Sequence, residues 1–134
     1  MSLQDQNKAN CIQAYREKVS KYGHSFQELD IENVIKFIDY IESSPEQSYF
    51  PIYKLREASG YDNLDSIISL VCFFSEILSV EYIYDDGYEE KDLDKESVLD
   101  YQKGTGLPVY RESGLEVEDF DSSNFSFYCN LDFS

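Results

Sequence analysis

The sequence predicts an α+β domain in which an extra N-terminal helix and a three-helix core precede a two- to three-stranded antiparallel sheet interrupted by a long acidic insert. Two observations predict it. Apolar residues recur at helical spacing as far as about residue 78 and then switch, near the C-terminus, to a period of two. The charge is also divided: residues 61–134 carry 18 acids and 4 bases, net −14, against 9 acids and 7 bases, net −2, in residues 1–60. With 134 residues, 42% hydrophobic content, 9 Phe and 12 Tyr, the chain is long enough to bury a core and too aromatic to be a disordered acidic polymer. A single domain over 1–134 is expected, with the helix at 4–22, the core at 30–86 and 124–134, and the insert at 87–123.

In residues 4–22, Ile12, Tyr15, Val19 and Tyr22 form one stripe of an amphipathic helix ended by Gly23. So narrow a stripe either packs on its own domain or pairs with its copy in a dimer. Asp30 then caps a helix whose broad apolar face is Ile31, Val34, Ile35, Phe37, Ile38 and Ile41, stopped by Ser43-Ser44-Pro45. Pro51 suits the first position of a short helix that turns Ile52 and Leu55 inward and closes at Gly60. A fourth helix follows at once, capped by Asp62 or Asn63.

"LSVEYIYDD" reads as a strand whose row Val80, Tyr82 and Tyr84 offers cross-strand packing. In "NFSFYCNLDFS", Phe125, Phe127, Cys129, Leu131 and Phe133 alternate with polar residues and Tyr128, giving one buried and one wet face. Between the strands, residues 85–124 hold 13 acids against Lys91, Lys95, Lys103 and Arg111. So long a segment needs structure of its own. "DKESVLDYQKG" predicts a short helix ending at Gly104, and "LPVYRESGLEVEDF" a β excursion turning at Ser113-Gly114.

Two helices joined by a tight glycine turn, with Leu55, Ala58 and Gly60 followed by Ile67, Val71 and Phe74, resemble the winged-helix (winged helix-turn-helix) superfamily. The helix at 31–43 stands as the first of its three, and the strands follow in the right order. The resemblance covers residues 30–86 and 124–134 and is one of topology. It implies that the helix after Gly60 would enter the major groove of DNA.

That helix argues against the implied role. Between Arg56 and Lys91 the chain has no cation, whereas duplex binding relies on cations that displace counterions from phosphates. Asn63, Ser66 and Ser69 could reach base edges, but Asp62, Asp65 and Glu76 would meet the backbone with the wrong sign. At 100° per residue its apolar residues, from Leu64 to Leu78, spread over an arc of about 220°, wider than one-sided packing needs. Either the helix is covered on several sides by the N-terminal helix and the insert, or Phe73, which falls among Ser66, Ser69 and Glu76, anchors a protein-binding patch with a polar rim.

No catalytic, metal or cofactor signature is present. His24 is the only histidine, and no nucleophile elbow accompanies it. In "DDGYEEKDLDKE", Tyr82 stands where a calcium loop needs Asp, five before Gly87, and a loop opening at Asp119 would place Asn130 where a bidentate carboxylate belongs. Cys11, Cys72 and Cys129 are too widely spaced for a disulfide framework or a zinc knuckle and read as buried thiols of a cytoplasmic protein. With no apolar run of about 18 residues, membrane insertion lacks support.

The expected function is therefore non-catalytic binding of a basic protein, steered by Asp85, Asp86, Glu89, Glu90, Asp92, Asp94 and Glu96, with Phe73 supplying contact area. An inhibitor, immunity-type or DNA-mimic role fits this, as does a regulatory scaffold that dimerises through the N-terminal helix. The alternative is a winged-helix transcriptional regulator gripping DNA with Lys8, Arg16, Lys18, Lys21, Lys36, Lys54 and Arg56.

Overall fold

A computed structural model describes residues 3–22 and 29–133, with side chains for 5–21 and 29–133. Tyr22, Gly23 and His24 therefore lie outside the described side chains. Among the described residues the helices are α1 (Leu3–Tyr22), α2 (Ile31–Ser43), α3 (Ile52–Ser59), α4 (Leu64–Phe73) and α5 (Lys95–Gln102). The strands are β1 (Tyr49–Pro51), β2 (Leu78–Asp85), β3 (Glu90–Asp92) and β4 (Phe125–Leu131). The fold is α+β, with an antiparallel sheet in the order β1-β4-β2-β3. The sheet exceeds the expected size because β1 and β3 are 3 residues each, too short to carry a readable period. By contacts the chain divides into two compact units, Met1–Ser79 with Asn130–Ser134, and Val80–Cys129.

In the first unit, α1 buries Ile12, Tyr15 and Val19, so its stripe packs on its own domain. Tyr15 lies 4.7 Å from the Phe74 ring, and Phe74 lies 4.9 Å from Phe37, which meets Phe50 at 5.7 Å. At the rim, Arg16 reaches Asp39 at 2.7 Å and Glu42 at 3.2 Å on α2. Helix α2 buries Val34, Phe37, Ile38 and Ile41, whereas Ile31 and Ile35, assigned to the same face by periodicity, are exposed. Four residues separate α3 from α4, and Gly60 makes that turn at φ 80°, its amide donating to the Arg56 carbonyl at 2.7 Å. A Cβ there would meet Lys36 Nζ at 3.1 Å in a left-handed backbone that disfavours any side chain. Of the two candidate caps for α4, Asn63 serves: its side chain accepts from the amides of Asp65 and Ser66 at 2.7 and 3.3 Å.

α4 is shorter than its apolar pattern. It ends at Phe73, and the Phe74 carbonyl accepts bonds from the Ile77 and Leu78 amides as the chain turns into β2. Ile77 and Leu78 thus have no place in the helical arc, which narrows to the buried Ile67, Leu70 and Val71 with Phe74 as its C-cap. Leu64 (45% exposed), Ile68 (44% exposed) and Cys72 form a separate exposed row at i, i+4 and i+8. The expectation that all three thiols are buried fails for Cys72, and Cys11 is half-buried; Cys129 is enclosed, and burial pushes its thiol up to about 12.

The second unit has its own small core of Tyr84, Leu93, Val98 and Val117, flanked by Tyr82, Tyr110, Phe120 and Phe125. Tyr82 stacks on Phe125 across the sheet at 5.6 Å, the packing expected of that row. The clean alternation of β4 does not extend through it: residues 125–128 are all half-buried and only Cys129 is enclosed. Both faces are partly used there, with the Tyr128 hydroxyl donating to Asp92 at 3.2 Å. α5 lies where the insert predicts a helix, with Gly104 in a left-handed conformation after it. The β excursion is present as an isolated bridge between Val109 and Glu116 around a turn containing Gly114.

Candidate protein-binding surface on the acidic unit

Of the seven acids singled out in the sequence, four are occupied by local structure. β2 and β3 form a hairpin in which Tyr84 pairs with Lys91 and Asp85 with Glu90. At its tip the Asp85 carboxylate accepts from the Gly87 amide at 2.9 Å, and Asp86 accepts from Tyr88 and Glu89 at 2.9 and 3.0 Å. Asp86 also holds Lys91 at 2.9 Å. The Lys91 ammonium and the two amides depress the Asp86 carboxyl to about 2. Asp92 accepts from Tyr128 and stands 3.8 Å from Arg111. Asp94 caps α5, accepting from the Ser97 amide at 2.9 Å. Glu89, Glu90 and Glu96 are exposed.

Three of the four cations of this unit, Lys91, Lys95 and Arg111, pair with its own acids. Lys91 pairs with Asp86; Lys95 lies 3.9 Å from Glu81; Arg111 bonds Glu81 and approaches Asp92. With 14 acids and 4 bases, residues 80–129 carry a net charge of −10.

Phe73 belongs to the first unit and lies under α1. Its ring is 5.6 Å from Tyr15, and Lys18 Nζ stands 4.9 Å above it, a cation–π contact that brings one cation of the N-terminal half beside α4. It is half-buried and contributes to packing within that unit.

Sequence reasoning missed the apolar residues among the acids. Tyr88, at the tip of the β2–β3 hairpin, is 96% exposed, and Leu115, beside the Gly114 turn, is 67% exposed. The Asp86-Gly87 pair is a hairpin signal that could have placed Tyr88 at a tip. Two clefts flank Tyr110. One, of about 660 Å³, runs along Glu89, Glu90 and Asp92 and includes Lys91 and Arg111. The other, of about 880 Å³, has Tyr84, Tyr110 and Leu115 in its lining and Asp85, Glu116, Glu118 and Asp119 around them. Glu116 and Glu118 lie outside the segment from which the candidate acids were drawn.

Among the described residues, no three His, Cys, Asp or Glu side chains form a group able to hold a metal ion. No helix of the described residues is long and apolar enough to cross a membrane. Compared with known proteins, the chain matches no family model, no curated protein and no solved structure.

Proposed function

We propose that this protein acts without catalysis, by binding a basic protein through the acidic surface of its second unit. The observation that carries this reading is that Lys91, Lys95 and Arg111 are paired with carboxylates of their own unit, while Glu89, Glu90, Glu96, Glu116 and Glu118 stand exposed. Such a field attracts cationic surfaces, repels phosphate chains and acts chiefly on association rate. The exposed Tyr88 and Leu115 add apolar contact area within the acidic surround.

The core at residues 30–86 and 124–134 is proposed to be a winged helix turned away from DNA. The order α2-β1-α3-α4-β2-β4, with β1 beside β4, supports that kinship. Two features support the change of partner. The exposed row of α4 is Leu64, Ile68 and Cys72, which offers phosphates nothing. Two of the cations a DNA-binding regulator would need are engaged by neighbouring acids: Arg16 by Asp39 and Glu42, and Lys54 by Glu57 at 3.2 Å.

Affinity capture at physiological ionic strength, followed by association kinetics with the recovered partner, tests this proposal. A cationic partner whose association slows at least about tenfold in about 1 M salt is expected. A partner with a neutral or acidic surface, or recovery of duplex DNA alone, would refute it.

A further inference from the structure

Resting on the reading of a basic partner, we infer that the cleft between the Gly87 and Gly114 turns is the docking groove, and that it takes an extended segment in which Arg or Lys alternates with apolar side chains. The two clefts beside Tyr110 differ in one decisive respect. The cleft along Glu89 and Glu90 has Lys91 and Arg111 in its own lining, and Arg111 stands 3.8 Å from the Asp92 carboxylate there. None of the ten residues lining the second is Lys or Arg, and of its acids Asp86 alone is paired with a cation, Lys91 from outside the lining.

That second groove is not merely acidic. The half-buried Tyr110 gives it aromatic surface, Tyr84 being buried in the core, and Leu115 stands two-thirds out of the fold with no polar atom on its side chain. An apolar side chain this exposed beside a concave surface suits a partner's apolar residue, while Asp85, Glu116, Glu118 and Asp119 suit the cations on either side of it. The period of two in an extended segment presents these alternately. Within the same unit the chain displays the chemistry it would offer: Lys91 Nζ lies 5.4 Å from the Tyr110 ring centre and 2.9 Å from Asp86, an aromatic face and a carboxylate holding one cation together. A partner's guanidinium reaching Tyr110 from the groove would meet the same pair of groups, with Glu116 or Glu118 as the carboxylate. A volume of about 880 Å³ is room for several side chains, not for a folded domain.

The test uses the full chain, isotopically labelled for NMR, and two synthetic peptides, one alternating Arg with Leu and one alternating Arg with Ser. The groove predicts that the Arg-Leu peptide binds more tightly and perturbs the amides of residues 84–87 and 110–119. It also predicts that Leu115→Ser and Glu116→Gln/Glu118→Gln each weaken that peptide about tenfold. These side chains are exposed, so the variants keep the fold, which the spectra themselves report. Equal binding of both peptides, or perturbations spread over Glu89, Glu90 and Glu96 with no effect of Leu115→Ser, would overturn the groove while leaving a basic partner in place. Failure of both peptides to bind at low salt would overturn the groove and the basic partner together.

Discussion

At the scale of single residues, the same side-chain type does different work according to what its neighbours leave unsatisfied. Asp94 is a helix cap and Glu118 an exposed charge, although both lie in one acidic stretch. Asp94→Ala should therefore cost about 1 kcal/mol of stability in urea unfolding and leave partner affinity unchanged. Glu116→Gln/Glu118→Gln should do the reverse. Asp86 makes a pH-dependent prediction. Its folded carboxyl is held near 2, below the usual carboxylate value, so its pairing with Lys91 is present above that usual value and is lost only as pH falls through about 2. The Tyr88 amide should keep its hydrogen bond to Asp86 until the pH falls through about 2, read from the protection of that amide against hydrogen exchange. Tyr15 presents the opposite sign: burial raises its phenol to about 12, so stability should fall between about pH 10 and 12 as ionisation favours the unfolded chain. Among the described residues its buried hydroxyl has no well-formed hydrogen bond, only an approach to the Glu76 backbone, so Tyr15→Phe should change stability by less than about 1 kcal/mol, measured by thermal unfolding.

At the scale of elements, legibility followed the range of the signal. The helix at Lys95–Gln102 was readable because its cap and its terminal glycine lie within a dozen residues of one another, and the turn at Ser113-Gly114 for the same reason. β1 and β3 were not readable, since each is held by a distant partner strand and spans too few residues to show alternation. The acids at 85–96 could be named from composition, but which of them are spent on turns and caps depends on hydrogen bonds that composition does not encode. Phe73 does lie opposite the apolar arc within α4, but periodicity cannot reveal that α1 packs against that side from a distant part of the chain. That packing changes what truncation would do. Deleting residues 1–22 removes the buried Ile12, Tyr15 and Val19, worth about 6 kcal/mol together, which is comparable to the stability of a whole domain. The truncated chain should lose its cooperative unfolding transition by circular dichroism; retention of a wild-type midpoint would show that α1 does not contribute to the core.

At the scale of the molecule, the main aromatic core and the excess charge fall in different units. The first unit supplies an aromatic core centred on Phe37, Phe50 and Phe74, and the second carries most of the excess charge around a small core of its own. Leu93→Ala should cost about 2–5 kcal/mol and broaden the resonances of residues 80–129 first, since Leu93 is wholly enclosed in that smaller core. The negative surface works against self-association and against polyanions, and its effect on binding should decline steeply as salt shortens the screening length to a few ångströms.

The most direct test is a pair of titrations in one buffer at physiological ionic strength, the chain against a duplex oligonucleotide and against the Arg-Leu peptide, both followed by calorimetry. Saturable binding of the peptide with no heat from the duplex is predicted. Tight duplex binding, abolished by Arg56→Ala and Lys54→Ala, with no response to the peptide, would contradict the account.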